Sequence, residues 1–298
     1  MSKIEADAKG NVSFWEYYFA RINRFDDLFS FIYLLDNWPQ HLIRKFIFKK
    51  GVELKVKKII GITYNKEGIL FRWHNRNINF CLPRQDKKFD IIWLINENFI
   101  KEQYKWLDVK GKDVVDVGAA VGDTAIYFAL KGAKHVYAFE PYSYSYNIAK
   151  KNIKLNHLED KITLLNEGCG KSGFITIKED YENTGGTDLK NFKEGKKIRI
   201  ESLDEIVKRF NLKHAALKVD CEGCEYALIL NANDEALKAF DQIIIEYHYG
   251  YRNLVKKLGQ AGFKVKYSLP KYLYNREAED NNTYPYIGLI YAKNRVRV

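Results

Sequence analysis

A chain of 298 residues is long enough for one large α/β domain with an additional element. Its composition is 46% hydrophobic and 15% aromatic, which excludes an intrinsically disordered protein. The formal net charge of +11 favours an anionic partner such as nucleic acid, an acidic substrate or a membrane surface, but it also fits a solvated basic face.

The start of the chain predicts neither export nor membrane insertion. Residues 1–10 contain no apolar stretch of the kind that a signal peptide needs. The longest apolar run, over residues 28–35, is too short to cross a membrane. We therefore expect a cytoplasmic protein whose four cysteines are reduced thiols, although the Cys221-x-x-Cys224 spacing also occurs in redox and zinc sites.

An amphipathic helix is predicted over residues 11–37, where apolar side chains recur at spacings of three and four residues. Trp38-Pro39 ends this helix, because the residue before proline is pushed out of the helical region. A basic and apolar segment follows over residues 44–58. The helix either caps the domain that follows, or residues 11–58 dock on a membrane surface or a partner.

Residues 52–83 are predicted to be rich in β-structure. A strand is expected over residues 52–62, and a hairpin should form around the turn His74-Asn75-Arg76. Residues 90–107 carry apolar side chains at helical spacing. We place a boundary near residue 86, so that residues 1–86 form an N-terminal extension and residues 87–298 form the main domain.

From residue 111 onward, strands and helices alternate, which is typical of a parallel sheet. Strands are predicted over residues 113–117, 135–140, 161–165, 215–219 and 242–247, and a closing antiparallel pair over residues 263–267 and 286–291. Residues 181–188 are polar and contain two adjacent glycines. We expect this segment to be a mobile loop that closes over a polyhydroxylated substrate.

The first strand of this series leads into a glycine turn. Asp116 lies in the strand, Gly118 and Gly122 follow it, and a helix begins near Asp123. Glycine permits a positive φ or a close approach of the backbone to a ligand, and the N–H groups that begin the helix can bind a polar or anionic group. Glu140 ends the second strand, where a carboxylate can accept both hydroxyls of a ribose. The sequence therefore predicts a Rossmann-like site for a nucleoside-bearing cofactor.

The D-x-G-x-x-x-G spacing resembles motif I of the S-adenosylmethionine (SAM)-dependent methyltransferases more than the G-x-G-x-x-G dinucleotide fingerprint. Ligands of open α/β sheets lie beyond the carboxyl ends of the strands. The residues predicted there to bind the cofactor are Asp116, Gly118, Ala119, Ala120, Gly122, Asp123, Thr124, Glu140, Pro141, Tyr142, Asn166, Glu167 and Asp220.

The acceptor of the methyl group should lie beyond the fourth and fifth strands, beside the point where the strand order reverses. Methyl transfer needs in-line alignment, and a hydroxyl acceptor also needs a base. His248 is the candidate base, because an imidazole can be neutral at working pH. Asp220, Glu222 and Glu246 are candidates to orient it or to bind the acceptor hydroxyl. The alternative is that His248 is a hydrogen-bonded histidine without a catalytic role.

Five segments resemble the FkbM-type methyltransferase family, over roughly residues 98–267. They are Asp116-Val-Gly-Ala-Ala-Val-Gly-Asp123, Ala138-Phe-Glu-Pro141, Asn152-Ile-Lys-Leu-Asn156, Leu217-Lys-Val-Asp-Cys-Glu-Gly-Cys-Glu225 and Ile245-Glu-Tyr-His248. The resemblance implies a seven-stranded sheet of order 3-2-1-4-5-7-6, the use of SAM, and methylation of hydroxyl groups on sugars or secondary metabolites. It also implies SAM contacts at Asp116, Gly118, Ala119, Gly122, Glu140 and Asp220. Cysteine at positions 221 and 224 departs from the family's commoner residues.

Three functions stay open from the sequence. The first is an O-methyltransferase acting on a glycan, lipid or metabolite hydroxyl. The second is an RNA methyltransferase acting on a ribose hydroxyl, which the basic charge favours. The third is a non-catalytic SAM-fold protein whose basic N-terminal part binds a partner. Base methylation is disfavoured, because Asp220-Cys221-Glu222-Gly223 stands where those enzymes carry an Asn/Asp-Pro-Pro-Tyr/Phe stretch. Acids at this position also repel phosphate, which disfavours a nucleic-acid substrate without excluding a ribose 2′-hydroxyl.

Overall fold

A computed structural model describes residues 50–66, 68–82, 88–178, 191–272 and 286–295 of the chain. The helix predicted over residues 11–37, the boundary near residue 86 and the loop predicted over residues 181–188 lie outside these ranges. Within them, the structure contains no helix that is both long enough and apolar enough to cross a membrane.

The first described elements are a helix and a small antiparallel sheet. They are α1 (residues 50–60), β1 (Thr63–Tyr64), β2 (Gly68–Trp73), β3 (Arg76–Cys81) and α2 (Lys88–Ile95), which continues as a π-helix over Asn96–Ile100. The predicted hairpin is confirmed, since β2 and β3 pair antiparallel. His74 and Asn75 turn the chain with positive φ angles of 44° and 65°, as a two-residue hairpin turn requires.

The strand predicted over residues 52–62 is wrong, because residues 50–60 are helical. Val52, Val56 and Ile60 lie one helical turn apart, and Val56 is fully buried. Leu54, which an alternating strand would place on the same face, is 65% exposed. Apolar residues four positions apart fit both the helical repeat and the two-residue repeat of a strand. Packing against the core favours the helix here.

The helix predicted over residues 90–107 is too long, because it ends at Ile100. Glu102 takes a positive φ of 48°, which lies outside the helical region. The irregular segment that follows carries Gln103 and Tyr104 toward the carboxyl ends of the central strands.

The main domain then alternates strands and helices as predicted. Its elements are β4 (Asp113–Val117), α3 (Asp123–Leu130), β5 (His135–Phe139), α4 (Ser143–Leu155), β6 (Ile162–Leu165), β7 (Gly168–Cys169), β8 (Gly173–Ile177), β9 (Lys196–Glu201), α5 (Leu203–Arg209), β10 (Ala215–Val219), α6 (Cys224–Leu230), α7 (Asp234–Lys238), β11 (Phe240–Tyr247), α8 (Arg252–Gln260), β12 (Phe263–Tyr267), β13 (Lys271–Tyr272) and β14 (Tyr286–Asn294). The short helices α6 and α7 were not among the elements that the sequence predicted.

The main sheet has the predicted topology. Its order is β6-β5-β4-β10-β11-β14-β12, which is 3-2-1-4-5-7-6 when these seven strands are numbered in chain order. The first five strands are parallel, and β14 runs antiparallel to both of its neighbours. The strand order therefore reverses between β4 and β10, which is where a ligand is expected in such a sheet.

The sheet lies between two apolar clusters. Its central strands are therefore covered on both faces, and every residue of β10 is buried. One cluster also contains aromatic residues of the hairpin, such as Phe71 and Phe80. The hairpin is further tied to α4, since Asn152 Oδ1 accepts a hydrogen bond of 2.7 Å from the backbone N–H of Cys81. The described part of the predicted extension thus shares a core with the main domain.

Candidate active site

The glycine turn after β4 is held tightly between three strands. Gly118 has a φ of +77°, and the backbone N–H groups of Gly118 and Ala119 both donate to the carbonyl of Phe139. A Cβ atom on Gly118 would lie 1.8 Å from the carbonyl oxygen of Asp220. Glycine is therefore required at this position for both its conformation and its lack of a side chain.

This requirement predicts a large loss of stability in Gly118→Ala. We expect the free energy of unfolding to fall by about 1–3 kcal/mol because of the positive φ, and by about 1–3 kcal/mol more because of the clash. Gly132→Ala is the matched control, since Gly132 has a φ of +94° but its nearest neighbour would lie 3.7 Å from the new Cβ. Urea unfolding measures both variants, and equal losses would contradict the close approach to Asp220.

The carboxylate of Glu140 joins the two loops that follow β4 and β5. Its Oε2 accepts from the backbone N–H of Ala120 at 2.9 Å, and its Oε1 accepts from that of Tyr142 at 2.9 Å. Burial raises the pKa of Glu140 to about 8, against the opposing effect of these two hydrogen bonds. The predicted ribose-binding acid is thus fixed in orientation at the end of its strand.

A buried ionic network lies beneath the glycine turn. Asp116 pairs with the ammonium of Lys218 at 3.1 Å and accepts from the hydroxyl of Thr124 at 2.6 Å. Lys218 also donates to the carbonyl of Gly118 at 2.9 Å. Because Asp116 and Lys218 are fully buried, these contacts hold the turn in place from below.

Asp123 begins α3 and accepts a hydrogen bond from the side chain of Asn98, which lies on the π-helix. Burial raises the pKa of Asp123 to about 7. Asn98 was not predicted as a site residue, since a lone asparagine in an apolar helical pattern carries no signal.

The residues predicted after β5 and β6 divide into two groups. Asn166 supports the loop, because its amide donates to the carbonyls of Glu140 and Pro141. Tyr142 is buried in a small apolar cluster. Glu167 points elsewhere, since it pairs with Arg209 at 2.7 Å. Glu167 therefore forms an ion pair and does not face the glycine turn, where it was predicted to bind the cofactor.

His248 lies at the end of β11, between carboxylates, and its side chain is 2% exposed. Its Nδ1 lies 3.0 Å from Oε1 of Glu225, and its Nε2 lies 3.2 Å from Oε2 of Glu222 and 3.8 Å from Oδ1 of Asp220. Burial lowers the pKa of His248, but the charges of Glu225 and Glu222 outweigh it and raise the pKa well above the usual value.

Glu225 is the main partner of His248 and is fully buried. Its Oε1 also accepts from the backbone N–H of His248 at 3.0 Å, and its Oε2 accepts from the backbone N–H of Gly223 at 2.8 Å. These bonds fix the carboxylate and with it the imidazole ring. Glu225 ends one of the segments that resemble the FkbM family, but its contact with His248 was not predicted from the sequence.

Two side chains from the segment before β4 complete the acidic side of the site. Tyr104 donates to Oδ2 of Asp220 at 2.8 Å, and Gln103 donates to Oε2 of Glu246 at 2.5 Å. Burial and the charge of Asp220 raise the pKa of Glu246 to about 8. Asp220, Glu246 and His248 place one ligand-capable atom each within 4.8 Å of one another, so these described residues could hold a cation.

The expectation of four reduced cysteines is wrong for one pair, because Cys221 and Cys224 form a disulfide. Cys81 and Cys169 are free. The two bonded residues lie at the start of α6, directly after Asp220. A C-x-x-C spacing fits a thiol pair, a metal site or a disulfide, so the spacing alone could not decide between them.

The model of the methyltransferase FkbM domain matches residues 116–265, which is half of the chain. The chain belongs to the FkbM methyltransferase family. The predicted family, fold and cofactor are therefore confirmed.

Two curated relatives match parts of this chain. The ribosomal protein L11 methyltransferase of Carboxydothermus hydrogenoformans is 47% identical over 55 residues, which is 18% of this chain and 18% of that relative. The uncharacterized protein 65 of Sulfolobus islandicus filamentous virus (isolate Iceland/Hveragerdi) is 28% identical over 153 residues, covering 51% of this chain and 70% of the viral protein. The matched part is thus less than a fifth of the first relative.

Solved structures show distant likeness. M. capricolum TrmK, solved with S-adenosyl-homocysteine, is 15% identical with a TM-score of 0.39 and coverage of 62% of each chain. A putative RNA methyltransferase from Pyrococcus horikoshii is 15% identical with a TM-score of 0.40, covering 83% of this chain and 99% of that one. Likeness at this level supports no conclusion about the acceptor.

The residues around the glycine turn fit the FkbM cofactor. The turn that Gly118 and Gly122 form with positive φ angles lies where the cofactor of this fold is expected. Glu140 is a fixed acceptor for ribose hydroxyls, since each of its oxygens has used one hydrogen bond and can accept another. The individual SAM contacts stay predictions, and Glu140 is the one with the clearest geometry.

Proposed function

We propose that this FkbM methyltransferase transfers a methyl group from SAM to a hydroxyl group of a glycan, lipid or small metabolite. The observation that carries the proposal is the hydrogen-bonded pair of Glu225 and His248 beside Asp220. A hydroxyl is a poor nucleophile while it is protonated, so its methylation benefits from a base at this position.

The roles of the residues follow from their hydrogen bonds. In its neutral form, His248 donates Nδ1–H to Glu225, so Nε2, which faces Glu222, carries no proton and can accept that of the acceptor hydroxyl. Glu225 stabilises the imidazolium that results, as the carboxylate does in other acid–histidine pairs. When bound, SAM would supply an electrophilic methyl group on a sulfonium, which the acceptor oxygen would take as the C–S bond breaks.

The remaining acids are proposed to bind the acceptor. Asp220, Glu222 and Glu246 lie close to His248 and are partly exposed, so they can accept hydrogen bonds from neighbouring hydroxyls of the same molecule. Several acceptors close together suit a polyhydroxylated substrate. The same carboxylates repel the phosphates of a nucleic acid. This repulsion supports our ranking of RNA ribose methylation below methylation of a sugar-like hydroxyl.

The test is a screen of cell-extract fractions with radiolabelled SAM. We expect the wild-type protein to label a glycan, lipid or metabolite fraction, and His248→Ala to label it far less. Label that appears only in RNA or protein would contradict the proposed acceptor class. Equal labelling by His248→Ala would contradict the proposed base.

A further inference from the structure

The Cys221–Cys224 disulfide closes a ring of four residues between β10 and α6. Within this ring Glu222 has a positive φ of 55° and Gly223 a φ of 116°. A positive φ is unfavourable for glutamate and persists where the surroundings impose it. Both cysteines are partly exposed, so a small reductant can reach the bond.

The ring and the residues next to it supply three carboxylates on the acceptor side of the proposed site. Asp220 precedes it, Glu222 lies inside it and Glu225 follows it. The backbone N–H of Gly223 donates to Glu225, and Sγ of Cys221 lies 3.6 Å from the same carboxylate oxygen. Three carboxylates that face His248 are thus positioned by, or next to, one covalent link.

We propose that Cys221 and Cys224 are a redox-active pair, opened by dithiol reductants, and that the closed form holds the acceptor-side carboxylates in the arrangement needed for methyl transfer. The effect on transfer rests on the proposed function. The redox chemistry of the pair and its effect on the surroundings of His248 do not.

The reaction is a thiol–disulfide exchange. A thiolate of the reductant attacks one sulfur of the pair, which breaks the S–S bond and forms a mixed disulfide. The second thiol of the reductant then displaces the protein sulfur. The pair gains two electrons and two protons and becomes two thiols, while the reductant becomes a disulfide.

The other two cysteines can be replaced, so that the test follows the Cys221–Cys224 pair alone. Cys81 and Cys169 are free, and burial raises the pKa of both thiols, so neither is suited to fast exchange. The variant Cys81→Ala/Cys169→Ala therefore keeps the pair as its only cysteines. Adding Cys221→Ser/Cys224→Ser gives a matched protein that cannot form the bond.

The experiment titrates the background variant with dithiothreitol and follows three signals. Alkylation and mass spectrometry count free thiols, NMR of labelled histidine follows the imidazole of His248, and kinetics follow transfer to the acceptor. We expect zero free thiols before reduction and two after it, with a shifted His248 signal. The acceptor kcat/KM should fall by about 10- to 100-fold on reduction, since small misplacements cost this much, and reoxidation should restore it.

The matched serine protein should behave like the reduced form and should not respond to dithiothreitol. Two free thiols before reduction would overturn the inference. A bonded pair whose reduction changes neither the His248 signal nor the acceptor kcat/KM would also overturn it. If neither redox state transfers a methyl group, the proposed function fails, and the thiol count and the His248 signal decide the inference by themselves. Because reduction acts on folded protein, the test stands even if the serine protein does not fold.

Discussion

Replacing His248 by alanine should lower kcat by about 10²–10⁴-fold, the usual contribution of a general base. The affinity for SAM should stay within about twofold of the wild type, because His248 lies at the end of β11, whereas Glu140 and the glycine turn follow β5 and β4. Steady-state kinetics with saturating SAM and calorimetry of SAM binding measure the two effects separately. A parallel loss of SAM affinity would indicate that the variant disturbs the fold rather than the base.

Glu225→Gln separates a positioning role from a purely structural one. A base must be deprotonated, so kcat should rise as the pH increases through the pKa of His248. The wild-type pKa is raised, since the charges of Glu225 and Glu222 outweigh burial. Removing the charge of Glu225 should lower this pKa, so the acidic limb of the pH profile should move to lower pH while the maximal rate falls. An acidic limb that stays in place would contradict the proposed pairing.

Replacing Glu140 by alanine should weaken SAM binding by about 1.5–3 kcal/mol, the scale for unpairing buried hydrogen-bonding groups. This corresponds to about 10- to 150-fold in the dissociation constant. The carboxylate is held by the N–H groups of Ala120 and Tyr142, so its loss removes both the ribose acceptor and the link between the two loops. Calorimetry with SAM measures the change.

Glu167→Ala is the control for this prediction. Glu167 follows the neighbouring strand β6, and the sequence predicted it as a cofactor ligand too, but it pairs with Arg209. Its loss should leave SAM affinity within about twofold of the wild type. Equal losses in Glu140→Ala and Glu167→Ala would contradict the specific placement of the ribose at Glu140.

The sequence predicted the sheet well, because its signals are local. β-branched runs mark β4 and β11, and glycines mark the turn that must approach Asp220. Glu140 was predicted as a site residue for the same reason, since it ends a strand at a fixed distance from the glycine turn. The order of the strands was predicted through family resemblance, as the hydrophobic pattern alone does not rank neighbours.

The parts that could not be predicted depend on contacts between distant segments. Tyr104 and Gln103 reach Asp220 and Glu246 across more than a hundred residues of sequence. Lys218 appears in the sequence as a single charge in a strand, and only the fold shows that it is buried against Asp116. No local pattern predicts such pairings.

SAM that carries a carbon-13 methyl group would show which atom of the acceptor this protein methylates. The labelled product from the active extract fraction would be examined by NMR, which distinguishes a methyl group on oxygen from one on nitrogen, carbon or sulfur. We expect a methyl ether on an acceptor that is not a nucleic acid, formed by the wild-type protein and strongly reduced in His248→Ala. A methyl group on nitrogen, carbon or sulfur, or on a ribose of RNA, would contradict it.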